Sequence, residues 1–430
     1  MRVSEPKIHI SYTFTELIFA IMIFVSSMTL LQIPFHGLTL SIVFQIIIIA
    51  WYIISKKEIV LVRDPYYLLV VFDFLLCILL CPLGGISVEC KKTSVYMIML
   101  LLPAVLVAMV FNTYEKHGKS LMYIFKASLK AMSITQVIWC YIQFILSRMG
   151  VDINRLIFVE LLHVVENASA YKFDQYMPSG LSWHPAVMAP IVIISYLLFD
   201  NMWIKLLSIG CAAITGNSTA LLGIIMCVCL SIIIPSIKRK QIVAKHRVLC
   251  ILGVLFIIFV VSGAWKIAYD KLYYLFSRVF GVANDDSTIG HIRYYTSYPD
   301  VVGISSLLQL LFGWGEGCSG CPINILFNQF PNLSYWAVEC DVMNLLISRG
   351  VVGFFLYYTW LFRMAFLGYK INYKYVVLVL ALIIEGITYN VQFEWLFLFE
   401  SIIYVLIINN KDIFCETKSR MDRVIDGLYI

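Results

Sequence analysis

Residues 202–236 read MWIKLLSIGCAAITGNSTALLGIIMCVCLSIIIPS. Two apolar runs, 202–216 and 218–236, meet at Gly216-Asn217-Ser218, and Lys205 is the one charged residue in the stretch. Such a pair reads as two membrane crossings joined by a tight hairpin. A bilayer core about 30 Å thick takes roughly 20 apolar residues per helical crossing. Inside lipid the backbone must satisfy its own hydrogen bonds, so these runs are expected to be helices. The period-2 alternation of a membrane β-barrel is absent.

Outward from this hairpin the same pattern repeats. Further runs fall at about 13–33, 38–54, 65–83, 94–111, 121–147, 183–199, 248–268, 342–366, 374–390 and 393–409, about twelve crossings in all. Composition agrees: of 430 residues 61% are hydrophobic and 13% charged, too few charges for the shell of a soluble protein this large. The expected fold class is therefore all-α, a polytopic integral membrane protein. The net charge of +6 comes from scattered Lys and Arg, which argues against a nucleic-acid partner and for membrane lipids.

Lys and Arg set the orientation. With the N-terminus cytoplasmic, the inside set holds 21 of the 32 basic residues and the outside set 9, Lys130 and Arg349 falling within crossings. Both termini are then expected in the cytoplasm, 410–430 forming a cytoplasmic tail, and the first segment is expected to be retained rather than cleaved. Two sizeable loops remain, 148–182 and 269–341, both outside. Large loops on a helical scaffold usually carry function.

The second loop holds Arg278, Asp285-Asp286, Gly290-His291-Ile292-Arg293, the glycine-rich Gly313-Trp314-Gly315-Glu316-Gly317-Cys318-Ser319-Gly320, and Glu339-Cys340-Asp341 leading to Asn344 and Arg349. Guanidinium groups beside an apolar interface suit a lipid-linked anion, because they grip phosphate oxygens bidentately. Each such pair is worth on the order of 4 kcal/mol at about 4 Å before desolvation. The formal G-x-G-x-x-G match lacks the strand and helix of a dinucleotide fold, so it reads as a flexible turn through which backbone approaches a substrate. Asp285-Asp286 reads as a solvated acidic loop rather than a metal site. Glu339 and Asp341 suit either capping of a helix N-terminus or a substrate role. In the first loop, Pro185 suits a first helical turn and places His184 at the membrane surface as a candidate base. Of the outer cysteines Cys90, Cys318, Cys321 and Cys340, a disulfide within the set is expected and its connectivity is open; zinc is not expected. Asp73, Glu385 and Glu400, inside crossings, read as interhelical hydrogen-bonding groups.

Four stretches carry a resemblance: Ser179-Gly180-Leu181-Ser182-Trp183-His184-Pro185; Thr215-Gly216-Asn217-Ser218-Thr219-Ala220-Leu221-Leu222; Arg293 with Leu311-Phe312-Gly313-Trp314-Gly315; and Glu339-Cys340-Asp341 through Asn344 to Gly350-Val351-Val352-Gly353. In their order and placement the chain resembles the bacterial O-antigen polymerase family, inner-membrane enzymes related to O-antigen ligases. The family often has Ser-Arg at the hairpin where Asn217-Ser218 stand here, and ligases carry a His where Glu339 and Asp341 stand. The resemblance implies two large periplasmic loops and glycosyl transfer on the periplasmic face, from an undecaprenyl-diphosphate-linked oligosaccharide to a second lipid-linked repeat unit. It implies Arg278, Arg293 and Arg349 on the diphosphate, with Asn217 and Asn344 as further substrate-binding candidates. His184, Glu339 and Asp341 would be the catalytic, acceptor-side residues. A chain-length regulator protein is implied as a partner; no metal or other cofactor is. The competing readings are an O-antigen ligase and a lipid-linked oligosaccharide flippase or transporter.

Overall fold

A computed structural model describes residues 13–32, 38–56, 62–80, 88–116, 121–164, 176–182, 184–239, 294–327, 338, 340–388 and 394–415. Helix makes up 80% and no strand occurs among the described residues, so the fold is all-α. The helices are α1 (Phe14–Val25), α2 (Leu40–Lys56), α3 (Pro65–Leu80), α4 (Val88–Lys116), α5 (Met122–Arg148), α6 (Met188–Leu198), α7 (Met202–Ile214) and α8 (Ser218–Arg239). They continue as α9 (Tyr298–Ile304), α10 (Leu307–Phe312), α11 (Gly320–Phe327), α12 (Asp341–Ser348), α13 (Gly350–Ile371), α14 (Tyr373–Thr388) and α15 (Glu394–Ile408).

Side-chain caps start several of these helices where a polar residue precedes an apolar run. Thr13 and Glu16 form a capping box on α1. Asp64 Oδ1 accepts from the Tyr66 N–H at 3.0 Å ahead of Pro65, and Asn201 Oδ1 accepts from the Trp203 N–H at 2.8 Å. The Asn372 side chain accepts from the Lys374 N–H at 3.0 Å to open α14.

The centre of the bundle is α15, buried from Trp395 through Ile407, together with α6. Around them α15 packs on α4, α14 on α8 and α13, α6 on α7 and α8, and α1 on α2 and α5. The outer helices are apolar on their exposed side as well. On α3 the exposed residues include Leu68, Leu69, Phe72, Leu75 and Leu79, a helical stripe, and on α13 Phe355, Phe362 and Phe366. Water would make such a belt an aggregation surface; hydrocarbon solvates it. Among the described residues two helices, Met122–Arg148 and Gly350–Ile371, are long and apolar enough to cross a membrane, and there are shorter apolar helices besides.

Two expectations change. The run 342–366 is not one helix: α12 ends at Ser348 and α13 begins at Gly350, with the break at Arg349. The run 13–33 is helical only to Val25, after which non-helical backbone packs inward and the Leu30 N–H donates to the Leu181 carbonyl at 3.3 Å. Within the second loop, α10 lies against α3 and α13. The segment expected at 248–268 lies outside the described residues, as do Arg278, Asp285-Asp286, Arg293 and Glu339.

Candidate functional site

The break at Arg349 organises the site. Gly350 has φ +66° and Gly313 φ +85°, both in the left-handed region that favours glycine. The two residues sit where the loop crosses the helix break backbone to backbone. A Cβ on Gly313 would run into the Ser348 carbonyl, and one on Gly350 would lie 2.5 Å from the Leu311 carbonyl oxygen. The Trp314 and Gly315 N–H groups donate to the carbonyls of Ile347 and Ser348 at 2.9 and 3.0 Å. Those carbonyls end α12 and would otherwise lack partners in its last turn. The glycine-rich turn is therefore buried and committed: its backbone approaches protein, where the sequence suggested a flexible approach to substrate.

Residue 316 follows directly from that crossing. Glu316 Oε2 accepts from Arg349 Nε at 2.6 Å, and both side chains are almost fully buried. The Arg349 guanidinium also lies 4.0 Å over the Phe74 ring and 5.9 Å from that of Tyr357, a desolvated cation–π arrangement. Asp73 of α3 is the third charge. Its Oδ2 lies 2.8 Å from where a Cβ on Gly353 would stand, it is in electrostatic reach of Arg349 and Glu316, and its Oδ1 makes no hydrogen bond. Two carboxylates thus share one guanidinium inside an apolar bundle. The sequence put Arg349 among the substrate-binding residues but contained nothing to announce Glu316 as its partner, 33 residues upstream.

One face of α12 carries the other candidates. Asp341 and Asn344, one turn apart, are both buried. Cys340 stands at the N-cap without a side-chain cap, and the Asp341 carboxylate is packed against α14, with Oδ2 2.7 Å from the Cβ position of Gly386. The neighbouring Glu385 fills the space left by Gly223 of α8. Asn344 is spent on structure: its Oδ1 accepts from Ser319 Oγ at 2.6 Å, and Ser319 Oγ accepts from the Val338 N–H at 2.8 Å. Burial pushes the Cys340 thiol up to about 11 and, above all other causes, raises the Tyr295 phenol. Cys321 is disulfide-bonded, whereas Cys318 and Cys340 are thiols, so the C-x-x-C pair does not close on itself. Among the described residues no cluster of His, Cys, Asp and Glu is suited to a metal.

His184 lies at the start of the helical turn Pro185–Val187 that leads into α6, and it is buried. Its Nδ1 accepts from the Ala186 N–H at 3.0 Å. That bond uses the lone pair of the neutral ring and leaves the proton on Nε2, so the ring is set to donate rather than to act as a base. The backbone ahead of it is non-helical and held by amides of α5. Gln143 Oε1 accepts from the Ser179 and Gly180 N–H groups at 2.9 and 3.0 Å, and Gln136 Oε1 from Leu181 at 2.8 Å. Asn217 is half-buried and opens α8, its Oδ1 accepting from the Thr219 N–H at 2.8 Å. The structure thus gathers Arg349, Asp341 and Asn344 about one short helix, while His184 and Asn217 are each fixed by a local cap. Glu400, read as an interhelical group, is one: its Oε2 accepts from the Tyr357 hydroxyl at 2.9 Å. Compared with known proteins, the chain matches no family model and no curated relative.

Proposed function

We propose that this chain is an O-antigen polymerase, joining undecaprenyl-diphosphate-linked oligosaccharide repeat units by glycosyl transfer on the periplasmic face of the inner membrane. The observation that carries the reading is the placing of Asp341 and Arg349 at the two ends of α12, at its break with Gly350-Val351-Val352-Gly353. The same stretch is one of the four that carry the resemblance.

In the reaction the bond from the donor's anomeric carbon to the diphosphate oxygen breaks, and a bond from that carbon to the acceptor hydroxyl oxygen forms. The hydroxyl proton passes to a base, and undecaprenyl diphosphate leaves with the bonding electrons. Negative charge grows on the leaving group, where preorganised guanidinium groups stabilise it most. Arg278 and Arg293 are the residues for direct grip. Arg349, already tied to Glu316, sets the geometry of α12. A carboxylate, Glu339 or Asp341, takes the acceptor proton; His184, donating through Nε2, orients a sugar or phosphate oxygen.

Arg293→Ala is expected to abolish long polymer and leave single repeat units on the lipid. Arg293→Lys is expected to restore it only in part, because the ammonium lacks the planar fork. The assay is purified protein in lipid with synthetic lipid-linked repeat units, scored for products longer than the input. Normal chain lengths from Arg293→Ala would remove the diphosphate role.

A further inference from the structure

The end of the bundle away from Arg349, one full length of α13 distant, gathers four lysines. Lys126 lies one turn into α5, Lys130 a turn further, Lys205 in the first turn of α7, and Lys374 is the second residue of α14. A helix N-terminus carries about half a positive charge, which favours acidic side chains there and disfavours basic ones. None of these three helices has an acidic residue in its first turn. Lys205 and Lys374 thus stand within the first turn of their helices, where the dipole adds to their positive charge.

The four ammonium groups form one electrostatic cluster. Lys374 Nζ lies 2.9 Å from Asp200 Oδ1 and donates to the Leu197 carbonyl at 3.0 Å, and Lys205 Nζ lies 4.0 Å from the same carboxylate. Lys126 donates to the Cys415 carbonyl and is in electrostatic reach of Lys130, Lys374 and Asp412. Lys130 Nζ lies 5.0 Å over the Phe199 ring. The C-terminus of α6 accounts for the placing of Lys374. Four lysines still face two carboxylates, Asp200 and Asp412, an excess of two positive charges among the described residues. Tyr123, one turn before Lys126, and Trp203, in the first turn of α7, are 62% and 76% exposed, and tyrosine and tryptophan favour the level of lipid headgroups.

We propose that this end of the bundle binds the phosphate of an anionic phospholipid, with Lys126, Lys130, Lys205 and Lys374 around the headgroup and Tyr123 and Trp203 at the acyl boundary. Basic pockets between helices hold anionic headgroups in this way. The inference uses only the apolar bundle and its lysines and does not depend on the glycosyl-transfer reading.

The test is retention of phosphatidylglycerol or phosphatidylcholine by the purified full-length protein after delipidation, read by native mass spectrometry. Phosphatidylglycerol is expected to be retained over phosphatidylcholine, with binding falling about fivefold for each lysine removed in Lys126→Gln, Lys130→Gln and Lys374→Gln. Asp200→Asn, which adds to the positive excess, is expected to raise retention and keeps the test decisive should the lysine variants fail to fold. Equal retention of the two lipids, or an unchanged or weaker signal in Asp200→Asn, would overturn the proposal. A second arm adds inorganic phosphate alone; if it displaces the lipid at matched concentration, the site is for a free anion and the lipid assignment falls.

Discussion

At Arg349 a charge is held inside an apolar bundle by a glutamate 2.6 Å away, and the energetics of such a pair are lopsided. Removing one partner leaves the other charged, buried and unmatched, at a cost of about 3–5 kcal/mol, whereas replacing both by apolar groups of similar volume is often neutral. Glu316→Ala is therefore expected to lower thermal stability in detergent steeply. The triple variant Glu316→Leu, Arg349→Met and Asp73→Asn, which also neutralises the second carboxylate, is expected to recover most of that loss while polymer formation stays low. A triple variant as unstable as the single one would show that Glu316 acts through something other than this charge cluster. Cys340 tests burial of the same region. With its thiol pushed up to about 11, it carries almost no thiolate at neutral pH. Alkylation at pH 7.5 is expected to spare it while modifying the exposed Cys415, and mass spectrometry of labelled peptides checks this. Equal labelling of the two would mean that Cys340 is open to solvent.

Between elements, glutamine amides do much of the fastening. Gln143 receives two backbone N–H groups from the non-helical stretch ahead of α6, and each left unpaired costs about 1–3 kcal/mol. Gln143→Leu is thus expected to lower the unfolding temperature and loosen the first loop to proteolysis; wild-type behaviour in both would show that other groups or water satisfy these donors. At the start of α3, burial pushes the Asp64 carboxyl up. Hydrogen bonds from Arg363 and Tyr404 and the charge of Arg363 outweigh that, holding it below the usual carboxylate range. A depressed carboxylate contributes stability that is present above its unfolded value and lost as pH falls through the folded one. Melting temperature is expected to drop as pH goes below about 4, the ordinary aspartate value, and less steeply in Asp64→Asn; parallel pH profiles would remove Asp64 as the titrating group. Part of this level is legible in the sequence, because turns are local: Gly216-Asn217-Ser218 reads as the hairpin between α7 and α8, and Pro185 as a first helical turn. The break at Arg349 was not legible. An apolar run conceals a kink that Gly350 permits and that a turn some 35 residues upstream enforces, and no local signal connects Gly313 to Ser348. For the same reason Arg349 could be singled out as a charge of consequence while Glu316, Asp73 and the Glu385–Gly223 packing could not be read as its surroundings. The glycine-rich stretch was conspicuous, but its purpose, close packing of backbone on backbone, belongs to the tertiary structure.

Across the whole molecule, α3 and α13 run antiparallel with two charged rungs between them: Arg363 to Asp64 at 2.9 Å near one end and the Arg349 group with Asp73 nearer the other. The 22 residues of α13 rise about 33 Å, close to one hydrocarbon thickness. If α13 crosses the bilayer, the Arg349 cluster and the Lys374 cluster lie at opposite faces. The basic excess then marks the Lys374 face as cytoplasmic and the α12 face as periplasmic. Fusions of alkaline phosphatase and of a cytosolic fluorescent reporter give an independent reading. Phosphatase activity is expected from insertions within 269–293, and fluorescence from fusions after Lys240 and within 416–430. A lipid-linked repeat unit that is assembled into polymer outside the cytosol meets only the periplasmic face. Fluorescence from the 269–293 insertions would place Arg278 and Arg293 where no polymerising glycan reaches them, and glycosyl transfer by this chain would have to be given up.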